Sequence, residues 1–317
     1  HEDYASHLWI GWNTHSRVTV SATVELPPML WAAGRNTPPE QLKPIAQRIL
    51  KIDGAAATAM AEYAGSDHKY LEWDVSSFAH QLRPRGPAAV IGVGGGRDVL
   101  VAANAGHTPV VGVELNAKIV GLHRGAMAEF SGVAALPGVE LVADEARSFF
   151  TRDARQYEVI TMSLIDTWAT TGAGSYSLSE NGLYTAEAWQ IFMSRLDDDG
   201  IYTVSRWYHP KSPGEATRST SAVVNGVRAS APSVRAIVAS ASGRVESSGP
   251  VAAATLPGIS IRPLARSTFI VPTWSRSGPS FLMSSSGLMS GAVLLMIGAS
   301  FISSGLPRRS SSARRAS

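Results

Sequence analysis

A chain of 317 residues with 44% hydrophobic side chains can bury a full α/β core and a smaller appendage, so one or two domains are expected. Cysteine is absent and the eight histidines show neither H-x-x-x-H nor H-E-x-x-H spacing, which removes disulfides, thiolate nucleophiles and any expected metal centre. The net charge of +3 hides a split: residues 1–216 hold 17 Lys and Arg against 24 Asp and Glu, net −7, and residues 217–317 carry +10. An acidic leading part repels phosphate backbones and attracts cations, so no nucleic-acid partner is expected and a small-molecule amine is favoured.

The chain opens without Met, a charged leader or an apolar leader segment, the pattern of a fragment or processed piece. Arg17-Val18-Thr19-Val20 and Ile49-Leu50-Lys51-Ile52 read as strands, and Asp53-Gly54 as a hairpin turn. A proline-bearing insertion (Pro27-Pro28, Pro38-Pro39) separates the two strands. Tyr70 to Leu82 is predicted helical, which makes residues 1–82 a β-hairpin subdomain with a linking helix. From Ala88 to Arg206 strand and helix patterns alternate with short turns, predicting a parallel sheet covered on both faces. Its strands are expected near 88–93, 109–114, 139–142, 157–162 and 200–205, with Asp197-Asp198-Asp199-Gly200 a turn before the fifth.

Within that pattern the apolar run Ala88 to Val93 breaks into glycines and restarts as a helix. Gly92, Gly94 and Gly96 permit positive φ and close approach of a ligand, while the helix start beyond them offers unpaired N–H groups. Twenty residues past Gly94, Pro109 to Val113 reads as a buried strand ending in Glu114, where a ribose diol would be held. Two readings fit these signals, a nicotinamide or flavin dinucleotide and S-adenosylmethionine or a relative of it. The third strand, Val139 to Ala143, runs into Asp144-Glu145, and a carboxylate there accepts a hydrogen bond from the adenine amine. Arg97 stands where a dinucleotide loop has its third glycine and would crowd a pyrophosphate. Both points favour the adenosyl ligand.

The last hundred residues differ in kind. After Lys211 there is no Lys, and after Glu215 the one acid is Glu246. Arg235 to Ala239 reads as one more strand, placing the end of the sheet domain near 250 (residues 83–250) and leaving 251–317 as a low-complexity basic tail. A disordered tail and a frame-shifted reading of a GC-rich gene are both open. Gly287 to Leu306 reaches the about 20 residues a bilayer needs, although serines dilute it. A transmembrane segment at 287–306, with the following arginines cytoplasmic, stands beside a buried apolar segment. The first option gives a cytoplasmic domain anchored to a membrane.

Taken in order, Trp12-Asn13-Thr14-His15-Ser16-Arg17-Val18, Ile52-Asp53-Gly54, Asp67-His68-Lys69-Tyr70-Leu71-Glu72, Ile91 to Asp98, Val113-Glu114-Leu115-Asn116, Ala143-Asp144-Glu145-Ala146-Arg147, Ser163-Leu164-Ile165-Asp166-Thr167 and Leu178-Ser179-Glu180-Asn181-Gly182-Leu183-Tyr184 resemble the spermidine synthase family. The branch with the nearer likeness is the bacterial one in which the transferase domain is attached to membrane segments. The resemblance covers roughly Trp9 to Pro210 and implies a Rossmann-like class I methyltransferase fold with an N-terminal β-hairpin subdomain. It implies decarboxylated S-adenosylmethionine as co-substrate, with Gly92, Gly94 and Gly96 at its amino-acid end, Glu114 at the ribose and Asp144, followed by Glu145, at the adenine. The family's Asp-x-x-Asp after the fourth strand corresponds to Ser163 and Asp166 here. A serine is no base at neutral pH without a partner. The family's glutamine after the matching Tyr70 is Leu71, the one after its Asp-Gly turn is Ala57, and the aspartate inside its glycine loop is Gly95.

The leading expectation is a transferase moving an aminopropyl or methyl group from decarboxylated S-adenosylmethionine or S-adenosylmethionine to an amine, with Asp166, Ser163 and Tyr70 as the catalytic candidates and Asp166 and Tyr70 placing the amine. Such a displacement beside a sulfonium asks the protein mainly to orient reactants. The alternative is a non-catalytic module that binds an adenosyl ligand, kept open by Ser163. A dehydrogenase is third, lacking an evident hydride-transfer acid or base. Plain structural roles stand beside each assignment: Glu114 and Asp144 as solvated strand ends, Asp166 as a cap, Tyr70 and Tyr184 as core aromatics. Whether the chain pairs as a homodimer is left open by the sequence.

Overall fold

The computed structural model describes residues 7–165, apart from 15, 32, 34–36, 55, 65 and 66, then 180–207 and the strands 234–239, 244–247, 260–263 and 292–299. The amino-terminal part is an antiparallel sheet of β1 (His7–Trp12), β2 (Arg17–Ser21), β3 (Val24–Leu26), β4 (Ile45–Ile52) and β5 (Ala56–Ala61). The long β4 organises it, pairing with β2 through Leu50 to Ile52, with β3 through Ile45 to Gln47, and with β5 along its length. The β4–β5 hairpin turns at Asp53 (φ +50°) and Gly54 (φ +72°), the positive pair that a tight hairpin requires. Asp53 Oδ1 accepts from the Arg17 amide at 2.8 Å, tying the turn to β2.

The helix expected over Tyr70 to Leu82 is broken. Lys69–Trp73 and Val75–Ser77 are single 3-10 turns, and only Phe78–Leu82 (α1) is α-helical. Asp74 causes the break. Its backbone is extended (ψ 141°), and its carboxylate accepts from the amides of Ser76 and, across the chain, Trp31. An aspartate that caps outward in this way competes with helix continuation.

Strand and helix then alternate as β6 (Ala88–Ile91), α2 (Arg97–Asn104), β7 (Val110–Glu114), α3 (Ala117–Arg124), α4 (Ala128–Ser131), β8 (Val139–Ala143), α5 (Ala146–Arg152), β9 (Tyr157–Met162), α6 (Glu180–Leu183), α7 (Ala186–Met193) and β10 (Leu196–Trp207). The strands lie in the order β8-β7-β6-β9-β10, all parallel. The aspartate run is not a turn before the fifth strand but lies inside β10. The register slips between Leu196, opposite Tyr157, and Ile201, opposite Val159, so a bulge absorbs Asp197 to Gly200.

Beyond β10 the sheet continues through β11 (Val234–Ala239), β12 (Arg244–Ser247), β13 (Ser260–Pro263) and β14 (Ala292–Ala299), with β14 antiparallel to both β10 and β11. Within the apolar stretch 287–306, for which the sequence left a transmembrane segment and a buried apolar segment both open, Ala292–Ala299 is a strand. Among the described residues no helix is long and apolar enough to cross a membrane.

Two apolar clusters cover the faces of the parallel sheet, one centred on Phe150, Tyr157, Trp189 and Tyr202, the other on Phe78, Val90, Val99 and Leu100. A third joins the two sheets: Val18, Val20, Leu50 and Met60 pack on Ile119, Leu122, Met127 and Phe130. Each such buried side chain contributes about 1.5–3 kcal/mol relative to exposure, so this joint fixes the small sheet over α3 and α4.

Candidate functional site

Three parallel strands deliver their carboxyl ends to one place. The loop between β6 and α2 bends at Gly92 (φ +87°), Gly94 (φ +49°) and Gly96 (φ +89°), conformations that a side chain would strain. Gly95 is needed for a different reason. A Cβ there would lie 2.0 Å from the Ala59 carbonyl oxygen, so the β5 backbone rests directly on the loop.

Glu114, the last residue of β7, is buried and turned onto this loop. Its Oε2 accepts from the amides of Val93 (3.0 Å) and Gly94 (3.1 Å), and its Oε1 from the amide of Asn116 (2.9 Å). Burial pushes its pKa up, opposed by the three amide donors. Three of about four acceptor positions of a carboxylate are thus used, leaving one for a hydroxyl donor. Leu115 beside it is 40% exposed, a large apolar side chain left open at the strand end. His123 holds the loop from below: with a carbonyl as partner its Nε2 must donate to Gly94 O (2.9 Å), so Nδ1 accepts from Ser131 Oγ (2.9 Å). Burial lowers its pKa, in keeping with a neutral ring.

At the end of β8 the two acids separate. Asp144 Oδ1 accepts from the Glu145 amide at 2.9 Å, Oδ2 pairs with the exposed Arg152, and the carboxylate is partly open to solvent. Glu145 is the N-cap of α5, accepting from the amides of Arg147 (2.9 Å) and Ser148 (2.8 Å). Its carboxylate is thereby committed to the helix start.

Ser163 follows β9 and is buried; its amide donates to Ile91 O at 3.0 Å, and a Cβ on Gly92 would stand 3.6 Å from its own. Its hydroxyl donates to Asp98 Oδ2 in a short hydrogen bond. Asp98 lies in the first turn of α2, and its Oδ1 takes the Arg97 guanidinium at 3.2 Å. Arg97 also reaches Asp74 Oδ2 at 3.6 Å, and its Cζ stands over the Trp31 ring, 3.9 Å from the centroid. Tyr70 is buried nearby, its hydroxyl 3.2 Å from His68 Nδ1. His68 Nε2 faces the Tyr63 carbonyl, so Nδ1 is the acceptor and Tyr70 the donor. Burial raises the Tyr70 pKa, and the phenol stays neutral. Asp166 lies outside the described residues.

The structure therefore brings Gly92, Gly94, Gly96, Glu114 and Ser163 together, with Asp144 at the end of the next strand. Asp98, Asp74, Leu115 and His123 were not singled out from the sequence. Asp98 had a usable signal, as the first acid of a helix that starts on a glycine loop. Asn13 and Ser16, from one motif, also meet Asn116 from another: Asn13 Nδ2 donates to Asn116 Oδ1 (2.7 Å), and Asn116 Nδ2 to Ser16 Oγ (2.9 Å). Among the described residues no group of His, Asp and Glu is placed to hold a metal ion.

No protein-family model matches the chain. The chain is 26% identical over 201 residues to polyamine aminopropyltransferase 2 of Pseudomonas aeruginosa, covering 59% of this chain and 53% of that protein. It thus spans about half the length of that curated relative. Among solved structures, a spermidine synthase in complex with the transition-state analogue AdoDATO matches with a TM-score of 0.52 at 12% identity, over 94% of this chain and 74% of that one. The spermidine synthase of Thermotoga maritima covers 74% of this chain and 67% of its own, at 14% identity and a TM-score of 0.47. The fold is accordingly the α/β fold of spermidine synthases, a parallel sheet preceded by an antiparallel one, and the sequence similarity to aminopropyltransferases is distant.

Proposed function

We propose that the chain is a spermidine-synthase-like transferase that binds S-adenosylmethionine or its decarboxylated form and passes an aminopropyl or methyl group to an amine. The observation that carries this reading is the glycine loop clamped by Glu114, with one acceptor position of that carboxylate left and Leu115 open beside it. A ribose hydroxyl suits the first and the face of an adenine the second. Asp144 stands at the adjoining strand end, where its partly open carboxylate would accept from the adenine amine. The positive-φ bends at Gly92, Gly94 and Gly96 shape the loop against which the sulfonium end would rest. The donor supplies an electrophilic carbon beside a sulfonium; the chain's own residues hold and orient it and exclude water. The distant likeness to a polyamine aminopropyltransferase supports an amine as acceptor.

Calorimetric titration of the full chain with S-adenosylmethionine, decarboxylated S-adenosylmethionine, methylthioadenosine and NAD tests the reading. Binding of the first three in preference to NAD is expected. Binding of NAD alone, or of none, would overturn it. Ser163 in place of an aspartate favours the second reading, a binding module without turnover. Adenosyl binding with no product from either donor across a panel of amines would establish that alternative.

A further inference from the structure

We infer that Asp98 is a positioning residue for the acceptor amine, acting through the Ser163 hydroxyl from the first turn of α2. The inference rests on the transferase reading above and goes beyond it by naming how the acceptor is held.

A serine hydroxyl alone neither removes a proton at neutral pH nor distinguishes an amine from an alcohol. Here it is not alone. Its proton is directed at Asp98 Oδ2, so the lone pairs of Ser163 Oγ are left as acceptors. Asp98 cannot turn away, because Arg97 holds its other oxygen at 3.2 Å and is itself fixed against Trp31 and Asp74. Both members of the pair are buried, where a charge-assisted hydrogen bond is stronger than in water. Ser163 stands at the carboxyl end of β9 beside Gly92, next to the loop assigned to the donor. The group that fits an acceptor backed by a carboxylate is an N–H donor that gains positive charge as it reacts.

The step balances as follows. The amine nitrogen lone pair forms the new N–C bond while the C–S bond breaks, its electron pair passing to sulfur to leave a neutral thioether. The nitrogen becomes an ammonium, whose proton moves to Ser163 Oγ as the serine proton moves to Asp98 Oδ2. Sequence comparison alone, which finds a serine where a carboxylate is expected, misses a carboxylate brought from α2 to the same atom.

The test uses the full chain saturated with methylthioadenosine and titrates 1,4-diaminobutane, with 1,4-butanediol as the uncharged comparison. The unaltered chain should bind the diamine at least tenfold more tightly than the diol. Asp98→Asn and Ser163→Ala should each weaken diamine binding tenfold or more while methylthioadenosine affinity stays within twofold. Asp98→Glu, which keeps the carboxylate, should recover part of the loss, an outcome that a purely structural role does not predict. Diamine affinity unchanged in a folded Asp98→Asn or Ser163→Ala protein overturns the inference. So does a methylthioadenosine-loaded chain that takes up no diamine, and in that case the adenosyl reading survives. Failure of methylthioadenosine to bind the unaltered chain removes the transferase reading itself.

Discussion

The two halves of the site are built by different means. The loop half is held by backbone: Val93, Gly94 and Asn116 give their amides to Glu114, and Gly94 gives its carbonyl to His123. The half around Ser163 is held by side chains meeting across the fold, with Asp74, Arg97, Asp98 and Ser163 contributed by the link between two 3-10 turns, a helix and a strand end. Backbone geometry survives most side-chain changes, whereas a side-chain relay can be rewired by one. Under the transferase proposal, a donor-binding loop of this kind would outlast changes in the side-chain chemistry beside it.

The largest effect is expected where the backbone half has no slack. Gly95→Ala would press a methyl group onto the Ala59 carbonyl, forcing β5 and the loop apart. Overpacking of this kind costs about 3 kcal/mol, and the joint between the two sheets should loosen with it. A melting temperature within a degree of the unaltered protein would show that the loop is softer than its packing implies.

Next comes Glu114→Ala, which leaves three buried amides without their acceptor. Charge-assisted hydrogen bonds contribute about 1.5–3 kcal/mol each, so methylthioadenosine affinity should fall at least tenfold. Glu114→Gln keeps an acceptor oxygen for one part of the loop and should fall between. Unchanged affinity in a folded Glu114→Ala protein would make the carboxylate a loop brace with no ligand role.

The backbone half was also the half legible in the sequence. Glycines, a strand-end acid and their spacing lie within about 25 residues of one another, and periodicity alone places them. All five parallel strands stood near their predicted positions for the same reason. The relay was not legible, because Asp98 is 65 residues from Ser163 and pairing across that separation leaves no local pattern. The helix over Tyr70 to Leu82 misled because Asp74, apolar-flanked and at helical spacing, is drawn outward by the Trp31 amide, a partner 43 residues away. The aspartate run before Gly200 has turn composition, yet a bulge accommodates it in β10.

Acid should unsettle both halves together. His68 braces Tyr70, His123 braces the loop, and His80 and His107 lie edge to face behind them; burial lowers the pKa of all four, that of His80 to about 3. A histidine depressed in the folded state takes up protons more readily when unfolded, so stability is full above the unfolded pKa of about 6.5 and is lost as pH falls below it. Between pH 7 and 5 His80 alone should remove about 2 kcal/mol. A denaturation midpoint flat over that range would contradict neutral buried rings, and His80→Gln should flatten the slope.

The smallest effect concerns Glu145, at the border of the loop half. Both its oxygens are taken by amides of α5, so Glu145→Ala should cost about 1 kcal/mol, the usual value of a lost N-cap. Asp144 beside it is braced by an exposed pair with Arg152, whose own contribution to stability is under about 1 kcal/mol. Asp144→Ala should therefore weaken methylthioadenosine with little change in melting, and Glu145→Ala should lower melting with little change in affinity. The crossed pattern separates a ligand contact from a cap at neighbouring positions. If Glu145→Ala instead weakens the ligand more than threefold without moving the melting temperature, the carboxylate leaves the helix to meet the adenine.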